Sequence, residues 1–223
     1  MARIYNISQK KTPNIFGNLS INIILILLTV ILFIIFSVLI SSNLLSIDSV
    51  AIKPSNIVQG NYLWTFLTSM FMHAGFFHLF ANMFSLLFIG SLVEKILGKK
   101  RYLWFYLIAG LFAGLFFVLS SFIFPDDFNT FAVGASGAIF GLIGMLMLLT
   151  PNLPVYIMFI PIPIKMKYAA PGILIFLWLI SIAGNVPVGN TAHLGGLVAG
   201  LVYGIYLKNK YKNKTRIISR YFS

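Results

Sequence analysis

The 223-residue chain has no cysteine, which removes disulfides, thiolate nucleophiles and cysteine-ligated zinc. Charge is also scarce. Only 9% of residues are Asp, Glu, Lys or Arg, against about 25% in an ordinary soluble domain. So few charges cannot cover a water-facing surface. What is abundant is apolar: 59% of residues are hydrophobic. Lipid is therefore the solvent for most of the chain, and its length suits roughly six or seven spans of ~20 residues.

Acids are the scarcest charges, 4 against 16 Lys and Arg, for a formal net charge of +12. Such a balance can indicate nucleic acid. Here the cations sit in short clusters between apolar runs, which is the pattern of membrane topology and not of a nucleic-acid surface. The first apolar run, Ile21 to about Ile40, follows Arg3, Lys10 and Lys11. It is longer than the 7–15 apolar residues of a signal peptide, and Ser41-Ser42-Asn43 is a poor cleavage site. We read it as a retained span.

Six apolar segments follow from this reading: about Ile21–Ile40, Phe76–Val93, Tyr102–Phe124, Ser136–Leu149, Tyr168–Gly184 and His193–Leu207. The proline-bounded stretch Val155–Ile162 is too short to span and is assigned to the interface. With the N-terminus in the cytosol, 15 of the 16 Lys and Arg fall inside and only Lys53 outside, while Asp48, Asp126 and Asp127 also fall outside. A seven-span count scrambles this partition. The expected fold is all-α: a polytopic bundle of six transmembrane helices with both termini cytosolic. It divides into a cytosolic segment (1–18), a membrane domain (19–207) and a basic cytosolic tail (208–223) that sets topology and is solvated or lies on anionic headgroups.

Polar residues inside spans are expensive, so each needs a reason. The second span carries His78 and Asn82, the fourth begins at Ser136 and the sixth at His193. Ser136 lies 15 residues before Pro151, His193 lies 15 before Lys208, and Asn82 lies 13 before Lys95. At 1.5 Å per residue these separations are ~20–22 Å, which sets all three at one level below the outer surface. A polar chamber open to the outside is expected.

Ser136 stands in Gly134-Ala135-Ser136-Gly137 at a helix start, where free N–H groups and the positive dipole end favour an oxyanion. A serine hydroxyl needs an adjacent base, and His193 is the internal base at the right depth. His78 and Asn82 are four apart and share a helix face. Both can donate to a developing oxyanion, with the Ser136 N–H as a third donor. No acid lies inside a span, so the inventory permits a Ser-His dyad. His73, ahead of the second helix, reads as a cap or a surface water-binding residue. Gly196, Gly200 and Gly204 form a small-residue ladder that permits close helix approach.

Gly134-Ala135-Ser136-Gly137 resembles the GxSG nucleophile motif of the rhomboid family, and Ala192-His193-Leu194-Gly195-Gly196 resembles its general-base motif. His73, His78 and Asn82 fit its HxxxxHxxxN pattern, and Glu94 to Gly98 with Arg101-Tyr102 fit ExxxG…RF. The resemblance covers about Asn61 to Gly204. It implies a rhomboid-like bundle acting as an intramembrane serine endopeptidase. The dyad would be Ser136 and His193, the oxyanion hole His78, Asn82 and the Ser136 N–H, with no metal or cofactor. Substrates would be single-pass transmembrane proteins cut within or next to their spans in the bilayer. Two departures stand out. The family's Trp-Arg in the first loop is Trp64-Thr65 here, and the tyrosine that stacks on the base is Phe140.

The alternatives are a non-catalytic member of the same fold that binds membrane clients, and a metal site built from His73, His78 and His193. The loop Asn185–Thr191 is a candidate lid. The absence of a transit peptide points to a prokaryotic plasma membrane.

Overall fold

A computed structural model describes residues 19–156, 162–184 and 189–222. A helix lies on each of the six apolar segments. The expected segment 1–18 lies outside the described residues.

The first helix, α1 (Ile21–Ser41), is apolar along its length. The first N–H groups of a helix have no intrahelical acceptor, and in lipid no water replaces one. Here Ser20 Oγ accepts from the Ile23 N–H at 3.3 Å, and the Glu94 carboxylate accepts from the N–H groups of Ile21 and Asn22 at 2.9 and 3.0 Å. Glu94 is thus a buried cap for a distant helix.

A loop with two short helices, α2 (Pro54–Val58) and α3 (Thr65–Thr68), follows. Asp48 ties it together, accepting from Asn56 Nδ2 at 2.8 Å and lying 3.8 Å from Lys53 Nζ. The Asn56 amide, then the Ser46 hydroxyl and Lys53, hold its carboxyl below the usual carboxylate range. The Trp64 indole donates to the Ser49 carbonyl at 2.9 Å, and the buried Thr65 hydroxyl donates to the Tyr62 carbonyl at 2.7 Å. These local bonds occupy the place where the family pattern carries an arginine. Ile52 pairs with Ala132 through reciprocal backbone bonds of 3.1 and 2.8 Å. That pairing steadies the strand-like approach to Ser136.

The second long helix runs from α4 (Phe76–Ser85) through one π-helical turn (Leu86–Gly90) into α5 (Ser91–Leu97). A π turn releases backbone carbonyls. Asn22 Nδ2 donates to the Leu86 carbonyl at 2.8 Å and to Ser91 Oγ at 3.0 Å, while the Tyr102 hydroxyl donates to Asn22 Oδ1 at 2.6 Å. One buried asparagine therefore joins three helices.

Helix α6 (Lys99–Ser120) begins three residues before the expected Tyr102 and stops four short of Phe124. The Ser120 and Ser121 hydroxyls donate back to the Phe117 and Val118 carbonyls, and Pro125 follows. Both features oppose helix continuation. Helix α7 (Ser136–Leu149) has the expected bounds and is the most enclosed element, flanked by α6 and by α9 (Asn190–Lys210). Between them lie the antiparallel pair β1 (Pro154–Val155) and β2 (Ile164–Lys165), with Val155 opposite Ile164, and helix α8 (Met166–Gly184). Residues 157–161, part of the expected interfacial stretch, lie outside the described residues. The tail differs from the simple expectation: α9 continues to Lys210, and a further helix, α10 (Lys212–Tyr221), follows.

Among the described residues four helices are long and apolar enough to cross a membrane: Ile21–Ser41, Phe76–Leu97, Lys99–Ser120 and Met166–Gly184. Helix α7, 14 residues long, is apolar but shorter, and α9 is the least apolar of the six. The outward sides of α1, α4 and α8 expose Leu27, Ile31, Phe80 and Ile182, as lipid-facing helices do. The protein is a helical integral membrane protein.

The closest helix approach is between α7 and α9. A Cβ on Gly196 would run into the Gly137 carbonyl oxygen, and one on Gly200 into the Gly141 carbonyl oxygen. No larger residue fits either seam. This is the close packing expected of the Gly196 ladder, and it is what sets the two helix starts beside each other.

Candidate active site

Helices α7 and α9 both start at the same end of the bundle. Ser136 opens α7, and His193 is in the first turn of α9, its own N–H donating to the Gly189 carbonyl at 3.1 Å. The glycine seam brings the two side chains together. His193 Nε2 lies 2.7 Å from Ser136 Oγ, a full hydrogen-bond contact. For the hydroxyl to donate to Nε2, the imidazole proton must reside on Nδ1. Among the described residues Nδ1 has no hydrogen-bond partner. The His193 ring is also fixed from the side. Phe140, one turn into α7, stacks on it with centroids 4.6 Å apart and planes inclined by 21°.

Gly134 has φ of +119°, a region that L side chains rarely enter. A Cβ there would also lie 2.9 Å from His78 Nε2 and 3.6 Å from Ser136 Oγ. His78 and Ser136 therefore flank a single glycine. His78 Nδ1 accepts from the Ala74 N–H at 3.3 Å, which assigns the ring proton to Nε2, the edge facing Gly134. Asn82 is buried one turn along the same face, and its Nδ2 donates to the His78 carbonyl at 2.8 Å. That leaves the second amide proton for another acceptor. No hydrogen bond joins Asn82 to Ser136 among the described residues.

His73 departs from its surface reading. It is 1% exposed, and its Nε2 accepts from the Ala135 N–H at 3.4 Å. Its ring meets His78 edge-on at 5.0 Å. It braces the turn into Ser136 together with the Ser69 carbonyl, which accepts from the Gly134 N–H at 2.8 Å. The motif spacing flagged His73, but nothing in the sequence marked Ser69. Among the described residues no three His, Asp or Glu side chains are grouped to hold a metal ion. Of the expected lid, 185–188 lies outside the described residues, while Asn190 and Thr191 are buried in the first turn of α9.

Comparison with known proteins fits this geometry. The Rhomboid domain family matches residues 60–210, which begins after α1. The chain is 40% identical over 159 residues to RHOMBOID-like protein 1 of Arabidopsis thaliana, covering 69% of this chain and 37% of that protein. It is 32% identical to Inactive RHOMBOID-like protein 8 of the same plant, over 64% of this chain and 38% of that one. It is 28% identical to Rhomboid protease GluP of Bacillus subtilis (strain 168), over 72% of this chain and 29% of that one. The chain thus spans less than half the length of these relatives. They come from a plant and a bacterium, so the expected prokaryotic membrane receives no support from them.

Proposed function

The chain belongs to the rhomboid family, and from that premise we propose that it is an intramembrane serine endopeptidase acting through a Ser136–His193 dyad. The observation that carries this reading is the 2.7 Å separation of Ser136 Oγ and His193 Nε2.

In the proposed reaction, Ser136 Oγ attacks the scissile carbonyl while His193 Nε2 takes its proton. The negative charge that develops on the carbonyl oxygen is met by three donors: the His78 Nε2–H, the free amide proton of Asn82 and the Ser136 N–H at the positive end of α7. His193 then gives the proton to the departing amine. Water, deprotonated by the same ring, hydrolyses the acyl-enzyme and restores the serine. Phe140 holds the imidazole in plane during both transfers. The chain needs no cofactor or metal for these steps.

The substrates proposed are single-pass transmembrane proteins, cut within or beside their spans. The proposed topology has six crossings, with both termini on the cytosolic side and the site near the opposite face. The domain division proposed is 19–207, flanked by 1–18 and the basic tail 208–223. Ser136→Ala in the full chain, assayed on a model single-pass substrate in reconstituted membranes, tests the reading. Cleavage falls to background, with the variant inserted and folded. Cleavage at the wild-type rate would show the dyad to be wrong.

A further inference from the structure

At the end of the bundle far from Ser136, the last turns of α7 and α9 and one side of α10 border an open groove of about 430 Å³. Four cations line it: Lys208, Lys212, Arg216 and Arg220. Lys212, Arg216 and Arg220 recur every fourth residue and so share one face of α10, and Lys208 joins them from the last turn of α9. Its apolar lining comes from the exit of α7, where Leu148 and Pro151 are half-buried. Among the described residues no carboxylate lines the groove. Asp48, Asp126 and Asp127 belong to loops at the other end, and Glu94 caps α1.

The groove is held in shape. Tyr211, the residue between the two helices, accepts from Arg101 at 3.3 Å, and the Arg101 guanidinium lies 5.4 Å from its ring centroid. The Thr215 hydroxyl donates back to the Tyr211 carbonyl at 3.2 Å, fixing the first turn of α10. The site therefore does not depend on a floppy tail for its geometry. Four cations lining one groove repel one another, and an anion between them removes that cost.

The position selects which anion. Ser136 to Leu149 rises ~20 Å along α7, so the groove opens where the apolar lengths of α7 and α9 end. Ile217 and Tyr221, one turn apart on another side of α10, are 68% and 82% exposed, the character of a helix lying in a headgroup layer. A ligand that meets both the cations and the apolar surface of Leu148 and Pro151 must join an anionic group to an apolar one. We propose that this groove binds the phosphate headgroup of an anionic phospholipid, with Arg216 and Arg220 as its main ligands.

The test uses the purified full chain in zwitterionic micelles, titrated with phosphatidylglycerol and read by native mass spectrometry. One saturable lipid should bind. Arg216→Ala with Arg220→Ala should weaken it roughly 30-fold, taking about a factor of five per cation near the membrane surface. Lys100→Ala with Lys214→Ala removes the same charge away from the groove and should leave affinity within about twofold. Equal loss in both pairs would reduce the effect to net charge and overturn the site. Full competition by millimolar inorganic phosphate, with no preference for the lipid, would overturn the lipid assignment. Should the double alanine variant misfold, Arg216→Gln alone must still weaken binding roughly fivefold. Unchanged affinity there refutes the site.

Discussion

Gly196 and Gly137 meet backbone to backbone, so close that a methyl group on Gly196 would overlap the Gly137 carbonyl oxygen. Gly137 directly follows Ser136, and Gly196 stands three residues after His193. The contact is therefore a spacer for the proposed reactive pair. Gly196→Ala must push the helices apart, and a misplacement of ~1 Å can lower a rate on the order of 100-fold. Overpacking also costs about 1–3 kcal/mol. Gly204→Ala is the control: its Cβ meets the Leu148 side chain at 3.1 Å, which can yield, and the Met145 carbonyl oxygen at 3.4 Å, an ordinary van der Waals contact. Cleavage kinetics and thermal unfolding of the two variants should diverge, and equal activities would show that the seam does not position the site.

Phe140 stacks on the ring of His193, the proposed base. Phe140→Leu keeps the pocket filled but removes the flat surface, worth about 0.5–1.5 kcal/mol for an aromatic pair. The expected result is a kcat/KM roughly tenfold lower with little change in KM. Phe140→Tyr restores the stack and should recover most of the activity. A Leu variant as active as the Tyr variant would deny the ring a role.

The role proposed for His193 sets the expected direction of the pH dependence. The neutral ring accepts the Ser136 proton and the imidazolium cannot. Cleavage should therefore fall as pH drops, by about tenfold per unit once the ring is mostly protonated. A rate that rises on acidification contradicts the assignment of His193 as base.

Much of this site was legible because membrane burial makes polar residues conspicuous. Ser136, His193, His78 and Asn82 stood out as unsatisfied groups in apolar runs. Helix rise predicts one level for Ser136, His193 and Asn82, and the spacing of Gly196 and Gly200 predicts the α7–α9 seam that the structure shows. What stayed hidden depended on contacts between distant segments. Glu94 stands in the sequence only as the first residue of the ExxxG pattern, yet it caps α1 across the bundle. Asn22 was invisible inside a long apolar run, and the π turn it serves has no period of its own. His73 looked like a surface residue because its burial comes from packing against Phe33 on α1 and the turn before Ser136. The fold of the tail was missed because charge density hid the amphipathic helix α10.

The Asn22 junction yields a stability prediction. Asn22→Ala strips a donor from the Leu86 carbonyl and an acceptor from the Tyr102 hydroxyl. Leaving such buried groups unpaired costs about 1–3 kcal/mol. Thermal unfolding in micelles should show a lower midpoint for Asn22→Ala and a smaller loss for Tyr102→Phe. An unshifted midpoint for Asn22→Ala would mean that the junction carries no stability.

The claim beneath the whole mechanism is that His193 makes the Ser136 hydroxyl nucleophilic. Labelling with a fluorophosphonate, followed by mass spectrometry of the peptide that carries residue 136, measures this directly. The account predicts a single adduct on Ser136 in the wild-type chain and its near-complete loss in His193→Ala. Equal labelling in both proteins, or an adduct that forms elsewhere and spares Ser136, would contradict it.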